Sequence, residues 1–193
     1  MVIKNFENSD IENASKVAHL VWGDLYSHES YELQKLIYDF MVSYYDLNRE
    51  YSFSVFDDGF KGFLLASLKN DCNESQKKFK DELQKLENEQ EQKIGFELLD
   101  YLNSCGQEVK KVMNDDDIVL NLFISRQKGC GKALLEKLTG VCYAKNIKNI
   151  YLWTDTTCDY EYYKKNSFDI VKELNVIVNS RNIKTIIYKK SII

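Results

Sequence analysis

One stretch limits what this chain can fold into more than any other: Ile118-Val-Leu-Asn-Leu-Phe-Ile-Ser-Arg126-Gln-Lys-Gly129-Cys-Gly131-Lys132-Ala-Leu-Leu. The apolar run from Ile118 to Ile124 predicts a strand buried on both faces. Leu134, Leu135, Leu138, Val141 and Cys142 then recur at helical spacing. A tight turn with two glycines joins strand to helix. Glycine reaches positive φ and lets a ligand come close to the backbone. The first amides of a helix are unpaired and lie at the positive end of its dipole, so this junction is suited to an anion such as phosphate. Arg126 and Lys132 add positive charge.

Two familiar nucleotide loops do not fit. A P-loop ends in Gly-Lys-Ser/Thr. Gly131-Lys132 matches that ending, but Arg126 stands where the first glycine belongs and Ala133 replaces the magnesium-binding hydroxyl. A dinucleotide fingerprint needs a third glycine, and Leu134 occupies its place.

The remaining pattern predicts one α/β domain over residues 1–193, a length that can bury a sizeable core. Val2–Phe6 reads as a strand. Ser9-Asp10-Ile11-Glu12 has capping-box spacing. A first helix follows with Ile11, Ala14, Ala18, Val21 and Leu25 inward. A second runs from Tyr31 to Tyr45. Tyr51, Phe53 and Val55 alternate as in a strand with one buried face. Asp58-Gly59 predicts a hairpin turn, with Phe60–Leu68 returning. Residues 73–114 are rich in Lys, Glu and Gln, with a thin apolar stripe. They read as two helices divided at Gly95, forming a solvated hairpin inserted between the third and fourth strands; a lid or a dimer contact is the alternative. A strand over Ile150–Thr154, a short helix over Asp159–Asn166 and an antiparallel pair, Phe168–Val178 with Ile183–Lys189, complete the chain.

Five scattered cysteines without a C-x-x-C pair read as free thiols. Two histidines make a structural metal site improbable and no metal is expected. A formal net charge of −4 with no basic stripe disfavours nucleic acid. It suits a cationic partner, although mild acidity also serves solubility. The N-terminal residues carry no basic segment followed by an apolar run, and no apolar stretch approaches the roughly 20 residues that span a bilayer. A cytoplasmic protein without membrane partners is the expectation.

Arg126-Gln-Lys-Gly129-Cys-Gly131, set between strand and helix, resembles the R/Q-x-x-G-x-G/A loop of the GNAT N-acetyltransferase superfamily. About thirty residues on, Asp159-Tyr-Glu-Tyr-Tyr163-Lys-Lys-Asn-Ser-Phe168 resembles that family's A-x-x-(L/F)-Y-x-K-x-G-F segment, with Tyr163, Lys165 and Phe168 in register. The likeness is best from Ile118 onward. It implies a mixed, mostly antiparallel sheet flanked by helices. Three departures stand out. Ser167 replaces a glycine, Thr156 replaces a frequent asparagine, and Arg126 follows Ile124 by only two positions where the family has about five. Either the loop is shortened, or Leu122–Ser125 belong to the loop.

The resemblance implies acetyl-CoA as co-substrate and direct acetyl transfer to a primary amine. Cofactor contacts would come from Leu122, Phe123 and Ile124, from Arg126, Gln127, Lys128, Gly129, Cys130, Gly131 and Lys132, and from Thr156. Tyr163 would touch the cofactor and serve as general acid, since a phenol can protonate a leaving thiolate. A strand amide near Leu122–Ile124 would polarise the thioester carbonyl. Asp117 is a candidate base; Asp155 is a second, and either could attract a cationic acceptor. Trp22, Asp24 and Tyr26 lie where this fold usually lines the acceptor site. The acceptor is a small-molecule amine or a protein amine, and a homodimer is possible. The competing reading is a non-catalytic CoA-binding or protein-interaction module.

Overall fold

A computed structural model describes residues 1–178 and 181–192. The elements are β1 (Val2–Asn5), α1 (Ile11–Trp22), α2 (Tyr31–Tyr45), β2 (Phe53–Phe56), β3 (Phe60–Leu68), α3 (Ser75–Leu83), α4 (Glu89–Val112), β4 (Ile118–Ser125), α5 (Cys130–Ala144), β5 (Asn149–Asp155), α6 (Glu161–Lys165), β6 (Asp169–Val178) and β7 (Arg181–Ser191). The strands form one sheet in the order β1-β2-β3-β4-β5-β7-β6. Every neighbouring pair is antiparallel except β4 with β5.

Strand alternation divides the core between the two faces of the sheet. Phe63 and Leu65 of β3 join Leu122 and Ile124 of β4 under α1, α2, α3 and α4. Leu64 and Ala66 point the other way and meet Leu134, Leu135 and Leu138 of α5. β2 is buried on both faces rather than one, because it lies second from the sheet edge. Ser52 and Ser54 are fully covered. Their hydroxyls are satisfied by the Ala66 backbone and by Asp10 Oδ2 (2.8 Å from Ser54 Oγ). Asp10 also accepts the Glu7 N–H at 3.1 Å, so the capping box is Glu7 with Asp10 rather than Ser9 with Glu12. α1 stops at Trp22, before Leu25, and both Val21 in its last turn and Leu25 beyond it are exposed rather than inward.

The segment between β3 and β4 is not a solvated hairpin. Phe79, Leu83, Leu98, Leu99, Leu102 and Cys105 are all part of the core under the sheet, and full burial of one such leucine contributes roughly 1.5–3 kcal/mol. Gly95 does not divide it either. α4 runs unbroken through Gly95, and the break falls at 84–88, before the Asn88 cap. Gly95 serves packing: a Cβ there would lie 2.2 Å from Leu83 Cδ2. The glycine lets α3 rest directly on α4.

Candidate active site

β4 and β5 pair at two places only, Ile118 with Ile150 and Val119 with Tyr151. Beyond these the two parallel strands part. A bulge contributes to the change of course: Leu65 faces Leu122 but Ala66 faces Leu120, so Asn121 is the extra residue on β4. Such a bulge increases local twist and re-aims the strand. Asn121 is held in place by donation to Ser67 Oγ at 2.8 Å. The parting opens a cleft of about 1330 Å³ at the C-terminal ends of both strands. Amides of β4 that face β5 past Leu120 have no strand partner there.

One end of the cleft is the turn into α5. β4 continues to Ser125 and α5 begins at Cys130, so the connection is only 126–129: the loop is shortened, and Leu122–Ser125 are strand. Its two glycines serve different needs. Gly129 caps the helix at φ +89°, and a Cβ there would meet no protein atom within 4 Å. Gly131 has ordinary φ, but a Cβ would come within 3.3 Å of Phe123 and of Ser125, so its absence lets the helix close on the strand. In the first turn, Cys130 N–H donates to Gln127 O and Ala133 N–H to Gly129 O. Among the described residues the Gly131 and Lys132 amides meet no acceptor, and both residues line the cleft beside Arg126 and Lys128. This cradle fits a diphosphate: free amides, a helix N-terminus and exposed cations.

Most of the residues expected from the sequence come together here. Leu122 to Ile124 and Arg126 to Lys132, except Cys130, line the cleft, as do Thr156, Tyr163, Trp22, Tyr26 and Asp155. Three do not. Cys130 turns its side chain into the core beneath α5 and is fully buried. Asp24 is exposed in the turn after α1 and does not line the cleft. Asp117 lies before β4, at the opposite end from the cleft. Its carboxylate is consumed by Asn114 N–H (2.9 Å) and by the side-chain amides of Asn114 (3.2 Å) and Asn149 (2.7 Å), which makes it a buried turn staple rather than a base. The Gln127 side chain is also committed elsewhere, to Asp57 of the β2–β3 turn.

Tyr163 follows from a local device. The C-terminus of α6 closes with Phe168 N–H on Tyr163 O and Ser167 N–H on Lys164 O, the two bonds of a Schellman motif. The left-handed residue this requires is Ser167, at φ +64°. That turn sets the Tyr163 ring among Tyr162, Phe168 and Tyr188, each 5.7 Å away. Burial pushes the Tyr163 hydroxyl well above the usual phenol range, with smaller contributions from Cys158, Tyr162 and Asp159. The hydroxyl therefore keeps its proton throughout the physiological range.

The other end of the cleft holds residues the sequence did not single out. Tyr101 of α4 donates to Asp155 Oδ2 at 2.8 Å. Its ring meets Trp153 edge-on at 5.4 Å. Leu98, Leu102, Tyr38 and Tyr45 complete the wall. The repeat Leu98, Tyr101, Leu102, Cys105 was the available signal, hidden in a segment whose charge suggested a solvated surface. Tyr162, which packs on Phe123 at 5.8 Å beside the glycine turn, gave no sequence signal among 13 tyrosines.

The overall fold also occurs in solved structures. Arylalkylamine N-acetyltransferase 2 from Aedes aegypti is similar over 100% of this chain and 99% of its own, with a TM-score of 0.59 at 16% identity. The fold is that of the GNAT N-acetyltransferases. Ard1 from Thermoplasma volcanium shares this GNAT fold over 100% of this chain and 97% of its own (TM-score 0.57, 16% identity). So does an aminoglycoside 6'-N-acetyltransferase complexed with coenzyme A, over 100% and 98% (TM-score 0.57, 16% identity). No protein-family model matches the sequence, and neither does any curated protein. No helix among the described residues is long and apolar enough to cross a membrane.

Proposed function

We propose that this protein transfers the acetyl group of acetyl-CoA to a primary amine. The observation that carries the reading is the parted β4–β5 pair, with the free Gly131 and Lys132 amides at one end and Tyr163 on its wall. The solved complex of a similar fold with coenzyme A supports it.

Acetyl-CoA supplies the acetyl group as a thioester whose leaving group is a thiolate. The Gly131 and Lys132 amides, with Arg126 and Lys128, would hold its diphosphate. The unpaired β4 amides past Leu120 would flank the pantetheine arm, and one of them would donate to the thioester carbonyl as negative charge builds on its oxygen. Tyr163, protonated and with no hydrogen-bond partner among the described residues, gives its proton to the departing sulfur; the amine attacks in its neutral form, and the proton its nitrogen loses as the amide forms returns through solvent to the phenolate. With Asp117 outside the cleft, Asp155 is the carboxylate from the expected set that can meet a cationic amine. Much of the rate gain then comes from holding amine and thioester together.

The test is release of free thiol from acetyl-CoA over a panel of amines and peptides, alongside calorimetry with CoA. Turnover with at least one amine is expected. Tight CoA binding without any turnover would leave a non-catalytic CoA-binding module, and no CoA binding would overturn both.

A further inference from the structure

The β2–β3 turn lies beside the glycine loop, and its own geometry is fixed. Asp57 N–H donates to Gly59 O at 3.0 Å. Asp58 and Gly59 both have positive φ, +53° and +99°, as the favoured two-residue hairpin loop requires. At its base the Phe56 and Phe60 rings meet edge to face at 5.5 Å.

Three contacts tie the glycine loop to this hairpin. β3 approaches the end of β4 so closely that a Cβ on Gly62 would lie 2.3 Å from Ile124 O. The Arg126 N–H donates to Lys61 O at 2.9 Å. The Gln127 side-chain amide donates to one oxygen of the Asp57 carboxylate. The other oxygen holds the Met1 ammonium at 2.9 Å. The Met1 ammonium, and after it the Gln127 amide, hold the Asp57 carboxyl below the usual carboxylate range, so at neutral pH it is ionised and only accepts. Asp57 itself does not line the cleft.

The tie matters because of what the Gln127 backbone does. Its carbonyl accepts the Cys130 N–H at 3.1 Å and the Ser125 hydroxyl at 3.2 Å. It thereby takes up the first amide of α5 and leaves those of Gly131 and Lys132 for a ligand. The orientation of the Gln127 carbonyl thus decides which helix-start amides are free for an anion. In a connection that spans only 126–129, fixing the Gln127 side chain also constrains its carbonyl. A loop already held in its bound conformation loses less freedom when a ligand docks, and binds it more tightly.

Given the reading that this cradle takes the diphosphate of acetyl-CoA, we infer that Asp57 is a positioning residue for the cofactor: its carboxylate fixes Gln127, and Gln127 fixes the free amides. Asp57 acts without touching the diphosphate, which its negative charge would repel.

Calorimetry on the full chain compares CoA with pantetheine, which has the same thiol arm but no diphosphate. Asp57→Ala and Gln127→Ala should each weaken CoA about fivefold, the worth of one hydrogen bond, and should bind pantetheine as the native chain does. Gln127→Ala keeps the Asp57–Met1 pair and so separates the effect from that contact. Because the two residues act as one unit, the double variant should lose no more than either single variant. Asp57→Asn keeps an accepting oxygen for Gln127 and should bind CoA within about twofold of the native chain. Losses that add in the double variant, an equal loss for pantetheine, Asp57→Asn as weak as Asp57→Ala, or native affinity in both alanine variants overturns the inference and leaves the acetyl-transfer reading standing. Failure of the native chain to bind CoA sinks that reading instead. Should pantetheine bind too weakly to measure, the CoA affinities of the four variants decide. Should Asp57→Ala not fold, Gln127→Ala and Asp57→Asn decide.

Discussion

The Tyr101 hydroxyl, midway along α4, donates to Asp155 at the end of β5 across 2.8 Å and 54 residues of sequence. The helix inserted between β3 and β4 thereby reaches into the cleft. Burial raises the proton affinity of the Tyr101 phenol far above its usual value, and the neighbouring Asp155 charge adds to this, so the phenol always donates.

Tyr101→Phe removes that donor and leaves a carboxylate oxygen dry. Stability should fall by about 1–3 kcal/mol, read from the urea midpoint. The acceptor KM should rise several-fold while the CoA dissociation constant stays put. An unchanged KM would confine Tyr101 to a packing role.

Tyr163→Phe keeps the ring packing and removes the proton. The expected loss in kcat is about 10²-fold or more, with CoA affinity retained. Because the folded pKa is raised, the protonated form persists to higher pH than for a free phenol. The native protein, if it turns over as proposed, should therefore show no loss of kcat from this group up to about pH 10. An alkaline limb near neutrality, absent from Tyr163→Phe, would contradict the assignment.

Gly129→Ala and Gly131→Ala separate two kinds of constraint. The first forces a side chain into positive φ, at about 1–2 kcal/mol, with no clash. The second keeps ordinary φ but presses on Phe123 and Ser125 at 3.3 Å. Both should weaken CoA binding about tenfold in calorimetry. Unaltered binding in both variants would mean that the diphosphate docks elsewhere.

Ser167→Gly relieves a non-glycine residue at φ +64°. The gain, reduced by the greater freedom of glycine in the unfolded chain, should be about 0.5–1 kcal/mol. Thermal melting would measure it, and destabilisation would mean that the serine side chain stabilises the turn in some other way.

Gly95→Ala places a methyl group 2.2 Å from Leu83 Cδ2. Overpacking of this kind costs about 1–3 kcal/mol, visible in urea denaturation. A neutral outcome would restore the picture of a loosely attached helical hairpin.

The local signals in this chain were strong where the chemistry is local. Period-two and helical spacings marked most strands and helices. The pair of glycines after a buried run marked the anion cradle, because backbone conformation and helix-start amides are properties of a few adjacent residues. The register Tyr163, Lys165, Phe168 marked the second motif for the same reason. Asp117 and Asp24 were misplaced for a shared cause: position in the sequence says which element a residue belongs to, not which end or face meets the cleft. Asp117 needed the partners Asn114 and Asn149 to be recognised as a staple.

The sequence alone thus determined the alternation of elements and the glycine turn that opens α5, since both arise from contacts among near neighbours. The tertiary structure decided where β4 and β5 part, that α4 is core rather than surface, and that Tyr101 meets Trp153 and donates to Asp155. Those facts depend on packing between segments distant in the sequence. Burial, which sets the energy of a charge or a hydroxyl, exists only once such segments meet.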